Sequence, residues 1–229
     1  MQILVVGASR GLGLEFVAQY LAAGAAVTAT ARSDDGLARL RGQGATALRL
    51  DVADAASAAG LARQIHGAAF DVVVLNAGVF GPRSQGLQTP TQDEFDTVMH
   101  TNVLGAMRLL PQVAEALAPP SPDVPSTLPR VAVLSSRMGS IGERQSNAGW
   151  LYRASKAALN SVLKDAALAL DGRALCVALH PGWVRTDMGG AGADLDIPTS
   201  VADLRRTLAG LTAADHGGFF NHDGTPLPW

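Results

Sequence analysis

Short apolar runs punctuate the chain at 2–6, 26–31, 45–50, 71–75, 130–135, 174–180 and, more weakly, 218–221. Several do not alternate with polar residues. Val72-Val73-Val74-Leu75 and Val131-Ala132-Val133-Leu134 are apolar at every position. Unbroken runs of this kind mark strands buried on both faces of a parallel sheet. Between them lie stretches with helical patterning, at 12–23, 35–42, 54–66, 92–117, 150–171 and 199–213. In the first, Leu12, Phe16, Tyr20 and Ala23 fall on one face. Asp54 and Thr91 stand where helix N-caps belong. Strand-helix alternation implies βαβ units with right-handed crossovers. The expected fold is therefore α/β: a single-domain, Rossmann-type, doubly wound parallel sheet of about seven strands with helices on both faces. Residues 119–129 hold five of the chain's prolines and break the rhythm; they are expected to be a surface loop before the fifth strand.

Composition narrows the class. A length of 229 residues with 48% hydrophobic content suits one domain, 1–229, with a large core. The formal charge of −2 contains no like-charge block, so neither nucleic acid nor an anionic membrane is an expected partner. No apolar run approaches the ~18 residues that span a bilayer. No basic segment precedes Ile3, so no targeting peptide is read. Cys176 is the sole cysteine, which excludes an internal disulfide and fits a reducing, cytoplasmic location. No His/Cys/Asp cluster has metal-ligand spacing, and no metal is expected.

Two features carry chemistry. The first strand runs into Gly7-Ala8-Ser9-Arg10-Gly11-Leu12-Gly13 and then a helix. A glycine turn there lets backbone approach a diphosphate and aims a helix N-terminus at it. The second strand ends Thr30-Ala31-Arg32, with no acid to bond the ribose 2′-hydroxyl of NAD. Arg32, joined by Arg10, suits a 2′-phosphate, so NADP(H) is expected over NAD(H). The second feature is a pair. The chain has only two tyrosines and two lysines, and Tyr152 and Lys156 stand four apart. On a helix they share a face one turn apart. A cation beside a phenol is expected to lower its pKa and make a tunable acid/base.

These pieces resemble the short-chain dehydrogenase/reductase family over nearly the whole length. Gly7-x-x-x-Gly11-x-Gly13, Asp51-Val52, Asn76-Ala77-Gly78, Asn102-Val103-x-Gly105, Ser135-Ser136, Tyr152-x-x-x-Lys156 and Pro181-Gly182 occur in the family's order. The stretches 152–160 and 180–190 and the closing residues are similar to its carbonyl-reductase-like branch. The resemblance implies an NADP(H)-dependent oxidoreductase that moves hydride between the nicotinamide and a carbonyl or alcohol. Tyr152 would be the general acid/base, Lys156 would hold the nicotinamide ribose, and Ser136 would bond the substrate oxygen. Asn102 would hold a relay water behind the lysine, or else simply kink its helix.

Ser136 is preferred to its neighbour Ser135 because x-x-Gly follows it, here Arg137-Met138-Gly139. Asp51 either meets the adenine or caps the next helix. Asn76, Ala77 and Gly78 would pass the adenosine ribose. Pro181, Gly182, Val184 and Thr186 would hold the nicotinamide carboxamide. Ser9 and Leu12 belong to the diphosphate turn. Arg137, Met138, Arg144, Trp150, Trp183 and Met188 are expected around the substrate, under a glycine-rich lid at 187–200. A homodimer or homotetramer through the long helices is a further expectation. The alternative function is a cofactor-bound regulatory or signalling protein with vestigial catalysis, which fold alone does not separate from an enzyme.

Overall fold

Seven strands form one sheet in the order β3-β2-β1-β4-β5-β6-β7. They are β1 (Gln2–Val6), β2 (Ala26–Ala31), β3 (Thr46–Arg49), β4 (Val72–Leu75), β5 (Arg130–Leu134), β6 (Leu175–His180) and β7 (Gly218–Asn221). Every neighbouring pair is parallel. The structure is a computed structural model and describes residues 1–120 and 128–229. Part of the proline-rich segment expected to be a loop, 121–127, lies outside the described residues.

The unbroken apolar strands are explained by two cores, one on each face. On β1, Leu4 and Val6 enter one core, while Ile3 and Val5 enter the other. The first core packs Leu61, Leu109, Val113 and Leu163 against the sheet. These come from α4 (Leu61–Gln64), α6 (Gly105–Ala114) and α7 (Trp150–Ala169). The second packs Phe16, Leu40 and Leu204. Those belong to α1 (Gly11–Ala22), α2 (Asp34–Gly42) and α8 (Ile197–Gly210). The strand order reverses between β1 and β4, which opens a crevice beyond their carboxyl ends.

Two helices expected to be continuous are broken. The 54–66 stretch becomes α3 (Ala55–Ala59) and α4, separated at Gly60. Asp54 caps α3 by accepting from Ser57 N at 2.6 Å. The 92–117 stretch becomes α5 (Gln92–Met99), a π-turn over His100–Leu104 and then α6. Thr91 caps α5 in a reciprocal box with Glu94. Asn102 stands at the centre of the π-turn. Its Oδ1 accepts from Val79 N at 2.8 Å and its Nδ2 donates to Val79 O at 2.9 Å. Periodicity cannot foresee a side chain that replaces a backbone partner in another segment.

Candidate active site

The turn after β1 is built around glycines that leave no room for a side chain. Gly7 has φ +80°, and a Cβ there would lie 2.7 Å from Ala77 Cα. A Cβ on Gly13 would meet the Gly7 carbonyl oxygen. Asn76 Nδ2 donates to that same carbonyl at 2.6 Å, tying the end of β4 to the turn. Gly7 N donates to Thr30 Oγ1 at 3.1 Å. No side chain caps the N-terminus of α1, so its first N–H groups have no side-chain acceptor there.

Three arginines, Arg10, Arg32 and Arg39, lie in and after this turn in sequence. Arg32 is exposed, and its guanidinium has no partner among the described residues. Arg10 pairs with Asp187, across the crevice. Arg39, which the sequence pattern did not single out, donates to Ser9 O at 2.5 Å. It stands seven residues past Arg32 on α2 (39 − 32), close to the expected 2′-phosphate reader, and that proximity was its only signal. Asp51 does not cap α3, since Asp54 does; its Oδ1 accepts from Ala53 N at 3.0 Å. Val52 is buried and packs against Gly105, where a Cβ would lie 3.1 Å away.

The N-terminal part of α7 supplies the next layer. Gly139 lies flat against this helix: a Cβ there would stand 2.8 Å from the Lys156 carbonyl carbon. Tyr152, Ser155 and Lys156 are buried. Lys156 Nζ donates to Leu134 O at 2.7 Å. Burial lowers its pKa to about 8. Ser155 Oγ donates to Tyr152 O at 2.8 Å and accepts from Asn102 Nδ2 at 2.9 Å. Both Nδ2 hydrogens of Asn102 are thereby used, on Val79 and Ser155. Gly78 lies beside both groups: a Cβ on it would be 3.3 Å from Asn102 Oδ1 and 3.5 Å from Lys156 Nζ.

Tyr152 differs from the sequence expectation. Its pKa is pushed up to about 12, because burial disfavours the phenolate more than the Ser136 hydrogen bond favours it. Lys156 does not depress it, since the ammonium is turned to Leu134 and lies 5.7 Å from the ring centroid. The protein's own groups therefore keep the phenol protonated at neutral pH. The ring stacks on Phe80 at 4.5 Å and 20°, and Arg83 lies 5.0 Å from the Phe80 centroid on a column the sequence did not reveal.

The two serines separate cleanly. Ser135 Oγ donates to Asn160 Oδ1 at 2.5 Å, so its hydroxyl is bound inside the fold. Ser136 Oγ accepts from Met138 N at 3.1 Å and reaches Tyr152. Both line a cavity of about 850 Å³ together with Leu12, Tyr152, Pro181, Gly182, Val184 and Thr186. Of the expected pocket residues, Arg137, Met138, Trp183 and Met188 line it, whereas Arg144 and Trp150 do not. Trp150 is turned into the protein and Arg144 is exposed elsewhere. Phe80, Arg83, Glu143, His180, Leu195 and His222 were missed. They come from strand ends and loops far apart in sequence, and only the sheet order brings them together.

The segment expected to be a lid is stapled. Trp183 Nε1 donates to Gly189 O at 2.8 Å, Arg83 Nη2 to Met188 O at 2.8 Å, and Gly189 N to Thr186 Oγ1 at 3.0 Å. No group of acids, histidines and cysteine able to hold a metal ion is found among the described residues. No described helix is long and apolar enough to cross a membrane.

Sheet order and switch-point crevice put the chain in the Rossmann class of α/β proteins. Residues 1–194 match the family model described as short chain dehydrogenase, and the chain belongs to that family of oxidoreductases. It is 38% identical to the C-signal of Myxococcus xanthus over 160 residues, covering 69% of this chain and 92% of that protein. Two solved structures are similar over 100% of this chain and 99% of theirs, each with a TM-score of 0.87 and 31% identity. One is a short-chain dehydrogenase/reductase from Burkholderia multivorans with bound NADP, and the other is the carbonyl reductase Sniffer of D. melanogaster.

Proposed function

We propose that this chain is an NADP(H)-dependent reductase of carbonyl compounds, with cofactor and substrate held in one domain. The observation that carries the reading is that Tyr152 and Ser136 line one cavity, with Lys156 buried one turn along the same helix as Tyr152, near a turn where Gly7 and Gly13 leave no room for a side chain. A pure binding module has no use for a buried phenol hydrogen-bonded to a serine, which favours an enzyme over the regulatory alternative.

The residues fit a dinucleotide. The turn at Gly7–Gly13 and the uncapped N-terminus of α1 would receive the diphosphate. The free Arg32 fork, with Arg10, would hold a 2′-phosphate. Support for that phosphate comes from the similar Burkholderia structure, which carries NADP. Asp51, Asn76, Ala77 and Gly78 would border the adenosine, and Pro181, Gly182, Val184 and Thr186 the nicotinamide. The bound cofactor would supply hydride to the carbonyl carbon.

Tyr152 would then give its proton to the developing alkoxide, while Ser136 stabilises the same oxygen. A phenol is protonated at neutral pH and carries the proton this step needs. Lys156 would hold the ribose through its ammonium, with Leu134 O fixing its direction. Asn102 would brace this machinery through Ser155 and Val79.

The test is a screen of aldehydes, ketones and quinones that follows NADPH absorbance, with NADH in parallel. Turnover that prefers NADPH is expected. Tight NADPH binding without turnover in either direction would overturn the reading in favour of a regulatory protein.

A further inference from the structure

The cavity beside Tyr152 has a positive wall that carbonyl reduction does not itself require. We propose that the substrate carries an anionic group, a carboxylate or phosphate, held at this wall by the Arg137 guanidinium. This rests on the reductase reading and names the substrate class of the same site.

Arg137 follows Ser136 directly and its side chain is half-exposed. Glu143 engages it through Nε at 3.1 Å. Its two terminal nitrogens have no partner among the described residues, which leaves the planar fork open to an oxyanion. His222 follows β7. Asp203 Oδ2 lies 2.9 Å from its Nδ1 and fixes the ring. The opposite nitrogen faces the cavity edge: a Cβ on Gly182 would lie 3.4 Å from His222 Nε2.

His180 ends β6, on the strand between those that lead to Arg137 and His222. Burial pushes it down to about 3, and both Arg137 and His222 push in the same direction. Its Nδ1 is sealed from water and has no partner among the described residues. Around the cavity, Arg83, Arg137 and Arg153 outnumber Glu143 and Asp194, in a chain whose net charge is −2. Positive lining inside a negative chain selects for anions.

The sheet sets the spacing. Ser136 follows β5, His180 ends β6 and His222 follows β7, on adjacent strands. At ~4.8 Å per strand, the anion would sit about 5–10 Å from the Ser136 end of the cavity. Met138, Trp183 and Leu195 line the space and would contact an apolar middle. The chemistry called for is an oxo acid with an apolar body.

The experiment compares 4-oxo-4-phenylbutanoate and its longer homologues with their methyl esters, using NADPH. The acids should exceed the esters in kcat/KM by about tenfold, the size of one charge-assisted contact. Arg137→Gln should collapse that ratio to near one. A second arm measures calorimetric binding of acid and ester to NADPH-loaded Tyr152→Phe, with and without Arg137→Gln. Absence of turnover for both compounds would count against the reductase reading, while the binding arm still decides the anion. Equal binding of acid and ester, or an equal effect of Arg137→Gln on both, overturns the proposal.

Discussion

The Lys156 ammonium donates to the Leu134 carbonyl at 2.7 Å, while it lies 5.7 Å from the centre of the Tyr152 ring. The two residues share a helix face, as their spacing requires, yet the lysine serves the end of β5. Burial lowers Lys156 to about 8 from 10.5. Between those values the unfolded chain holds a proton that the folded chain has shed, so this group's contribution to stability rises with pH across the window. Below about 8 both states are protonated and the full burial penalty applies. Cys176, raised to about 12 by burial, acts in the opposite direction from about 9 upward. The effect of Lys156 is therefore read as the difference in stability between wild type and Lys156→Met from pH 7 to 10. Wild type should gain on the variant as pH rises; a constant difference would reject the desolvated lysine.

Tyr152→Phe removes one hydroxyl and keeps the stack on Phe80. Turnover should fall by about 10²–10⁴-fold, the usual value of a positioned proton donor. NADPH affinity, measured by fluorescence titration, should stay within about twofold, because the phenol is not a phosphate ligand. Near-normal turnover would falsify the assignment of the acid.

The adjacent serines should behave as opposites. Ser136→Ala should lower kcat by about 10- to 100-fold with little change in melting temperature. Ser135→Ala leaves Asn160 Oδ1 without its donor in a buried place and should cost about 1–3 kcal/mol of stability. Denaturant melts and kinetics on the two variants would check this, and the idea fails if the costs are exchanged.

Arg32→Ala should weaken NADPH by about tenfold or more and leave NADH nearly unchanged, since charge-assisted contacts are lost only with the 2′-phosphate. Equal losses for both cofactors, by calorimetry, would move the phosphate contact elsewhere on the rim.

Gly139→Ala places a methyl group 2.8 Å from the Lys156 backbone. The neighbour is backbone of a long helix, so the helix must shift. A loss of about 1–3 kcal/mol is expected, with a larger fractional loss in turnover than in cofactor affinity. Melts, kinetics and titration together separate these outcomes.

The sheet was legible because its central strands β1, β4, β5 and β6 are buried on both faces and are written as apolar runs. The glycine turn and the Tyr152/Lys156 pair were legible because local sequence places their atoms. Residues that act across the fold were not. Asn102 bonds to Val79 from within the π-turn, and Phe80 stacks on Tyr152 from another strand's loop. His180 and His222 meet only because β6 and β7 are neighbours. The direction of the Tyr152 shift was misread because spacing gives proximity, not the direction an ammonium points, and says nothing of burial.

Trp229 stacks on Phe219 at 5.4 Å, and its carbonyl accepts from the N–H groups of Ile141 and Gly142, each at 3.0 Å. Ser140, whose hydroxyl also reaches that carbonyl at 3.3 Å, receives the N–H of Glu143 at 3.1 Å. Glu143 in turn grips Arg137. The residue farthest along the chain thus buttresses the arginine that would sort one substrate from another. Clipping away Pro228 and Trp229 would leave Ser136, Tyr152 and Lys156 in place and still loosen the support under Arg137.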